Sequence, residues 1–478
     1  MRTAHRVETV RTAEAALMAR LPPDALMQRA AAGLAAACAD LLGRVYGARV
    51  VLLVGSGANG GDALYAGVRL ARRGAGVSAV LLAPERTYPG ALGAFTAASG
   101  RIADDPFDVL ATADLVLDGI TGIGGRGGLR PETVPVARAA RGSNAVIVAV
   151  DLPSGVEADS GEVTGEALRA DATVTFGTHK PALLIDPARE YAGTVRLVDI
   201  GLDAELPSVP DVEALQHEDV ARLLPRPSAE SDKYRRGVVG IVAGSARYPG
   251  AAVLAVAGAL RGGAGAVRYV GPAADAVIGR FPEALVHAGP PAKAGRVQSW
   301  VVGPGLGDDI GAVAEILASD VPVLIDADGL RLLDAEAVRR RAAPTLLTPH
   351  AGEAAALLGT TRGHVESARL ASVRELAERY GATVLLKGST TLIASPEPGV
   401  AVRVNPMGTP WLATAGSGDV LSGLAGSLLA TGLDARDAGT LAAYLHGLAA
   451  RNAASRGTPI TAWEVAEGVS WPGGLGLG

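Results

Sequence analysis

The sequence predicts an α/β protein of two domains, and three observations carry that expectation. Short apolar runs alternate with segments of helical periodicity through both halves, and many runs end on Gly, Asp, His or Lys. At 478 residues the chain is long for a single core. A polar, proline-containing stretch near 203–232, with Leu206-Pro207-Ser208-Val209-Pro210 and Arg226-Pro227-Ser228, marks a break. The expected domains are residues 1–210 and 211–478.

Residues 8–45 have helical periodicity, with Leu26, Ala30, Leu34, Ala37 and Leu41 along one face. Residues 49–54 then read as a strand, followed by a glycine-rich turn, a helix through Arg73 and a strand at 77–82. That is a βαβ unit. Further strands are expected at 115–118, 145–150, 172–176 and 195–198. After the break the alternation restarts, with a strand at 238–243 and a helix from about Gly250 to Arg261. Strands are expected again at 266–270, 299–302, 323–325, 345–347 and 383–386, and a helix opens near Val420. Ligands of open α/β sheets collect at the C-terminal ends of strands, where these Gly, Asp, His and Lys residues fall.

Hydrophobic residues make up 49% of the chain but aromatic ones only 4%, and 63 positions are glycine, a composition suited to a soluble α/β protein. The net charge of −5 argues against broad nucleic-acid or anionic-membrane binding and leaves local anion pockets open. Cys38 is the only cysteine, so one chain can form neither a disulfide framework nor a cysteine zinc site. No apolar run follows residues 1–6, and stretches such as 145–150 are too short to span a bilayer, so a cytoplasmic protein is expected. Only four of the 44 cationic residues are lysine: Lys180, Lys233, Lys293 and Lys387. Where arginine is the default cation, a retained lysine hints at a need for a compact ammonium. Lys293 reads as an ordinary loop residue; the other three lie in motif-like segments.

In the first half, Gly55-Ser56-Gly57-Ala58-Asn59-Gly60-Gly61-Asp62 joins a strand to a helix and can present backbone N–H groups to phosphate. Its spacing is not that of the dinucleotide fingerprint. Asp118 ends a strand ahead of Thr121 and the run Gly122-Ile123-Gly124-Gly125-Arg126-Gly127-Gly128, and Asp151 ends another in Asp151-Leu152-Pro153-Ser154-Gly155. Asn59, Asp118 and Ser154 thus offer hard oxygen ligands for an alkali or alkaline-earth cation, although each alone could equally cap a turn. With Phe176-Gly177-Thr178-His179-Lys180, these segments make residues 8–205 resemble the NAD(P)H-hydrate epimerase family. The resemblance implies a Rossmann-like three-layer α/β/α domain with K⁺ on Asn59, Asp118 and Ser154. It also implies contact with the hydrated nicotinamide nucleotide through Ala58, Asn59, Gly60, Gly61, Asp62, the Gly122-to-Gly128 run and Asp151. Asp151 would move the proton during inversion at the hydrated ring carbon. The family segment usually reads Asn-Asn-Gly-Gly-Asp-Gly; here Ala58 and Ala63 replace its first and last residues.

In the second half, Ala413-Thr414-Ala415-Gly416-Ser417-Gly418-Asp419 leads into a helix. Glycines and a helix N-terminus suit an anion, so a carboxylate inside the turn either caps the helix or takes a proton from something about to meet phosphate. Upstream lie Ser231-Asp232-Lys233-Tyr234, Ala243-Gly244-Ser245 with Ala251, Gly303-Pro304-Gly305-Leu306-Gly307, Asp326-Ala327-Asp328-Gly329, Thr348-Pro349-His350-Ala351-Gly352-Glu353 and Lys387-Gly388-Ser389-Thr390-Thr391. From about Asp232 onward the chain resembles the ADP-dependent NAD(P)H-hydrate dehydratase family, a branch of the ribokinase-like superfamily. By that resemblance Ala251, Gly305, His350 and Asp419 face the hydrate, while Lys387, Gly388, Ser389, Thr390, Thr391 and Gly418 bind adenine nucleotide. Asp419 would deprotonate the ring hydroxyl, ADP would be the co-substrate, and Mg²⁺ would balance the phosphoryl charge.

Together the resemblances imply a two-activity repair enzyme, expected to be homo-oligomeric, whose partners are NAD(P)H hydrates and adenine nucleotide. A ribokinase-like kinase for a small alcohol, with a non-catalytic nucleotide-binding first half, is the alternative. The 416–419 turn fits both; the 303–307 and 348–353 segments together favour the dehydratase.

Overall fold

Uninterrupted valine and leucine runs form the sheet centres in the computed structural model, which describes residues 1–472 and only the backbone of Pro89. The end of the second expected domain, 473–478, lies outside the described residues. The chain divides into two compact units: Thr3–Val212, and Met1–Arg2 with the chain from Glu213 onward.

The first unit holds a seven-stranded, wholly parallel sheet. Its order is Arg101–Ile102, Gly76–Leu81, Arg49–Val54, Leu115–Gly119, Val146–Val150, Ala172–Phe176, Thr194–Val198. Alternate side chains enter opposite cores. Val50, Leu52 and Val54 pack with Leu34, Cys38 and Leu64, while Val51 and Leu53 pack with Leu110, Val136 and Ala140. Helices therefore cover both faces, giving the three-layer arrangement. The helical region expected over 8–45 is two helices, Val7–Met18 and Ala25–Leu42. Pro22 and Pro23 fall between them, and each removes a backbone donor. Ala25–Leu42 is long and apolar enough to cross a membrane by length and composition. Within this unit its Ala30, Leu34, Ala35 and Cys38 are buried in the core. Burial pushes the Cys38 thiol up to about 12, so it is an apolar filler.

In the second unit nine consecutive strands of an eleven-stranded sheet run Val402–Asn405, Thr391–Ala394, Thr383–Leu386, Thr345–Leu347, Val323–Ile325, Ser299–Val302, Val238–Val242, Ala266–Val270, Leu285–His287. Pairing is parallel except at Thr391–Ala394, which is antiparallel to both neighbours. Helices Pro249–Arg261, Ser417–Ala430 and Ala435–Ala454 pack their apolar residues on Val239, Ile241, Val301 and Leu324.

Each sheet has one point where the chain reverses its direction of growth. In the first unit it lies between Arg49–Val54 and Leu115–Gly119, in the second between Val238–Val242 and Ser299–Val302. Crevices at such switch points are where doubly wound sheets bind ligands.

The helices Pro249–Arg261 and Ser417–Ala430 meet backbone to backbone. A Cβ on Gly258 would lie 2.1 Å from the Val420 carbonyl oxygen, and one on Gly423 would lie 1.9 Å from that of Ala255. Replacing Gly423 by Val should destabilise the unit by about 3 kcal/mol, because neither backbone can yield. The check is a lower urea midpoint with an unchanged slope.

Candidate active sites

The first site is assembled at the switch point of the first unit. Asp118, fully buried at its strand end, accepts Ser154 Oγ at 2.6 Å and Ser154 N at 2.8 Å. Ser154 Oγ also accepts Thr121 N at 2.9 Å. A Cβ on Gly122 would sit 2.8 Å from Asn59 Oδ1, so Asn59 lies against the same turn. Its Nδ2 is buried and has no hydrogen-bond partner among the described residues. Burial pushes Asp118 up to about 6, only partly offset by the Ser154 and Ile120 bonds. The three predicted cation ligands thus border one turn.

Asp151 follows its strand with φ 67°, a left-handed conformation that aspartate tolerates better than most residues. Thr175 Oγ1 donates to its Oδ1 at 2.9 Å, and the buried Lys180 Nζ donates to the same oxygen. Lys180 Nζ also reaches Thr175 Oγ1 at 3.1 Å and Phe176 O at 3.2 Å. No hydrogen bond among the described residues runs to Asp151 Oδ2, which leaves that oxygen for a ligand. Asp62 stands in the field of this pair. Burial, with the Asp151 and Glu14 charges, holds it well above the carboxylate range against the pull of Lys180.

Of the remaining predicted residues, Ala58 opens helix Ala58–Arg72, and Ala63 is helical within it. Gly60 is required, since a Cβ there would lie 2.5 Å from Gly55 O. Ile123, Gly124, Gly125 and Arg126 line a cleft of about 390 Å³ with Val7 and Arg11. Gly127 donates from its backbone to Glu157 at 2.6 Å, and Gly128 packs against Gly165. Lys180 and Glu14 are the residues the sequence reading left without a role. The rarity of lysine was the signal for the first; nothing in the sequence pointed to the second.

The second site gathers three neighbouring strand ends around a helix start. Asp326 follows Val323–Ile325, His350 follows Thr345–Leu347 and Lys387 follows Thr383–Leu386. Lys387 Nζ donates to Asp326 Oδ1 at 2.6 Å and lies 3.8 Å from Glu353 Oε2. Ser422 Oγ, in helix Ser417–Ala430, donates to Asp326 Oδ2 at 2.6 Å. A Cβ on Gly418 would stand 3.6 Å from Lys387 Nζ, so that glycine borders the ammonium. Burial alone would depress Lys387, but Asp326, Glu353 and Asp419 outweigh it and hold the ammonium above its ordinary value. Asp419, in the first helical turn, is pushed up to about 7 by burial and then by Asp326, with Lys387 pulling it back. Behind the turn the buried His446 donates Nε2–H to Ser417 O at 2.9 Å, and burial lowers it to about 4.

Gly305, with φ 59°, is packed against Ala251: a Cβ there would lie 2.7 Å from that of Ala251. These two predicted residues therefore meet at the switch point. His350 is the N-cap of helix Ala351–Leu358. Its Nδ1 accepts Gly352 N at 3.0 Å and Glu353 N at 3.1 Å, while the side chain stays 60% exposed. Capping therefore leaves the outer edge of the ring open to solvent. The 387–391 segment divides. Lys387 lines the site, Gly388 and Ser389 are exposed, Thr390 is fully buried and Thr391 begins the antiparallel strand. The sequence reading gave no role to Arg369, which is buried and donates to Lys387 O at 3.2 Å and Thr390 O at 2.8 Å. A Cβ on Gly388 would lie 2.3 Å from that guanidinium, which would have to shift to admit one.

Two α/β units, each with a lysine–aspartate ion pair at its strand ends, define an α/β protein with two candidate sites. Residues 239–468 match the family model described as NAD(P)H-hydrate dehydratase, and residues 23–182 that of the YjeF-related protein N-terminus. The chain is 50% identical over 459 residues to the bifunctional NAD(P)H-hydrate repair enzyme Nnr of Mycobacterium leprae, covering 94% of each chain. To the enzyme of that name from Mycobacterium tuberculosis it is 49% identical over 447 residues, covering 92% of this chain and 91% of the other. The ADP/ATP-dependent NAD(P)H-hydrate dehydratase of Bacillus subtilis, crystallised with ATP/Mg²⁺, covers 53% of this chain. That structure aligns over 95% of its own length at 29% identity, with a TM-score of 0.49. The chain belongs to the family of bifunctional NAD(P)H-hydrate repair enzymes.

Lys180 is 1% exposed, so Lys180→Met should leave the buried Asp151 carboxylate uncompensated and cost about 3–5 kcal/mol of stability. Adding Asp151→Leu should recover part of that loss. Chemical unfolding of the single and double variants measures both.

Proposed function

We propose that this protein repairs hydrated NADH and NADPH. The first unit epimerises the R and S hydrates, and the second dehydrates the S hydrate with ADP, yielding NAD(P)H, AMP and phosphate. One observation carries the reading: Asp419 sits in a helix-opening turn beside Lys387, with an affinity for protons close to neutrality. That suits a general base which must ionise in the resting site and accept a proton in the next step.

In the second unit the hydrate ring would lie along Gly305, Ala251 and His350, with the nucleotide along 387–391 and Gly418. The Asp419 carboxylate takes the proton of the ring hydroxyl. The freed oxygen bonds to the terminal phosphorus of ADP, and the bond to AMP breaks with its electron pair leaving on AMP. Phosphate then departs from the ring carbon as the ring nitrogen's lone pair moves in, and loss of a proton from the adjacent carbon restores the double bond. Lys387, with only part of its donor capacity engaged, holds phosphate oxygens. Mg²⁺ bound with the nucleotide supplies charge neutralisation for the phosphoryl group.

In the first unit Asp151 Oδ2 would take the proton of the ring hydroxyl as the bond between that carbon and the ring nitrogen opens to an aldehyde, pass it to the nitrogen, and reverse both steps when the nitrogen closes on the other face of the carbonyl. Lys180 and Thr175 fix the carboxylate through Oδ1. Asn59, Asp118 and Ser154 would hold K⁺. A buried carboxylate short of counter-charge, a hydroxyl and an amide bordering one turn are donors suited to a weakly hydrated monovalent cation.

Separated R and S hydrates of NADH, supplied with ADP and followed by reduced-nicotinamide absorbance, test the reading. Recovery from both is expected. Asp419→Asn should abolish recovery of S while nucleotide still binds, and Asp151→Ala should abolish recovery of R alone. Recovery of neither form by the unaltered protein would sink the proposal. For the cation, KCl should raise the melting temperature of the first unit more than LiCl does, and Asp118→Asn should remove the difference.

A further inference from the structure

Asp326 has no part in the chemistry above, yet it is the most connected charged group in the second site. It is 1% exposed, and both carboxylate oxygens are engaged. Oδ1 accepts Lys387 Nζ, and Oδ2 accepts Ser422 Oγ, each at 2.6 Å. Ser422 Oγ also lies 3.0 Å from Gly418 O, one helical turn earlier and next to Asp419. A single carboxylate thus joins the strand end that carries the nucleotide-facing lysine to the helix turn that carries the base. We propose that Asp326 is a positioning residue for the dehydration. It fixes Lys387 against the helix turn, and its charge keeps the neighbouring Asp419 carboxylate basic enough to take the hydroxyl proton. This rests on the assignment of Asp419 as base.

The argument is one of charge balance. Four ionisable groups face the turn from separate elements: Asp326, Lys387, Glu353 from helix Ala351–Leu358, and His446 from helix Ala435–Ala454. His446, lowered by burial, is neutral near pH 7. Lys387 alone would draw Asp419 toward a weakly basic carboxylate. Asp326 bonds directly to that ammonium and adds a like charge of its own, so both effects raise the proton affinity of Asp419. Removing the charge of Asp326 must therefore lower it, and removing the charge of Lys387 must raise it. The two substitutions have opposite signs, and a purely structural Asp326 would not give the first shift.

The test is the pH dependence of kcat/KM for the S hydrate at saturating ADP, measured with the full chain. The rate rises with pH as Asp419 ionises, and that acid limb is the readout. In Asp326→Asn the limb should move to lower pH by about one unit or more, with kcat falling about tenfold because the base is weaker. Asp326→Glu keeps the charge and should leave the limb in place while disturbing kcat. Lys387→Met should move the limb to higher pH. A limb unmoved in a folded Asp326→Asn protein overturns the inference. Should that variant not fold, the double variant Asp326→Asn/Lys387→Met, which leaves no unpaired ammonium, is compared with Lys387→Met alone, and a limb at the same pH in both overturns the inference equally. If the unaltered enzyme has no acid limb, or one that survives in Asp419→Asn, the assignment of the base fails first, and this inference falls with it.

Discussion

Burying an ammonium beside a carboxylate is the constraint from which the rest of the catalytic architecture follows. An isolated charge in this interior would cost several kcal/mol, so a buried lysine must be met by acceptors held in place by the fold. Lys387 meets Asp326, and Lys180 meets Asp151, in each case at the C-terminal ends of parallel strands. Strand ends suit this purpose because the sheet fixes their backbone while the turns beyond remain open to ligand. The pair in the second unit also recruits a helix: Ser422 binds the same carboxylate, so the start of Ser417–Ala430 cannot drift from the sheet.

That helix can approach because its sequence is small. Gly423 against Ala255 O and Gly258 against Val420 O allow two helix backbones to touch, and Gly426 packs on Val301 of the sheet. The opposite wall of the site is built likewise. Gly303 lies over Asp326 O, where a Cβ would stand at 1.9 Å, and Gly305 packs on Ala251. Small residues thus bring backbone close in on both walls around the Asp326–Lys387 pair. The low aromatic content and the many glycines are two aspects of the same design.

The parallel strands were legible because each is a short apolar run bounded by turn residues; Ala172–Phe176 and Ser299–Val302 fall where the pattern puts them. The antiparallel strands Thr391–Ala394 and Val402–Asn405 were not, because the first begins inside a segment that reads as a phosphate-binding hydroxyl run. Leu285–His287 is three residues at a sheet edge, too short for periodicity to register. The helical face at 26–41 held at Ala30, Leu34 and Ala37, while Leu41 is exposed. For the sites, Asp118 and Ser154 stood out by their place at strand ends, and Gly418 by its glycine turn at a helix start. Asp326, Glu14 and Arg369 act through partners distant in sequence, and no local pattern reveals a partner; Glu353 caps its own helix with His350, and only its approach to Lys387 is distant.

Donor counting separates the buried Lys180 from the partly buried Lys387. An ammonium has three N–H bonds directed around a point, whereas a guanidinium spreads five over a plane. Lys180 is surrounded by Asp151 Oδ1, Thr175 Oγ1 and Phe176 O, one acceptor for each proton, so it is saturated and serves to fix Asp151. Among the described residues Lys387 Nζ makes one hydrogen bond, to Asp326, and the Glu353 carboxylate stands off at 3.8 Å. It therefore keeps donors for an incoming anion. Lys233, over the ring of Tyr234 on the surface, shows that rarity alone does not assign a role. What distinguishes the lysines is how many of their protons the fold has already used.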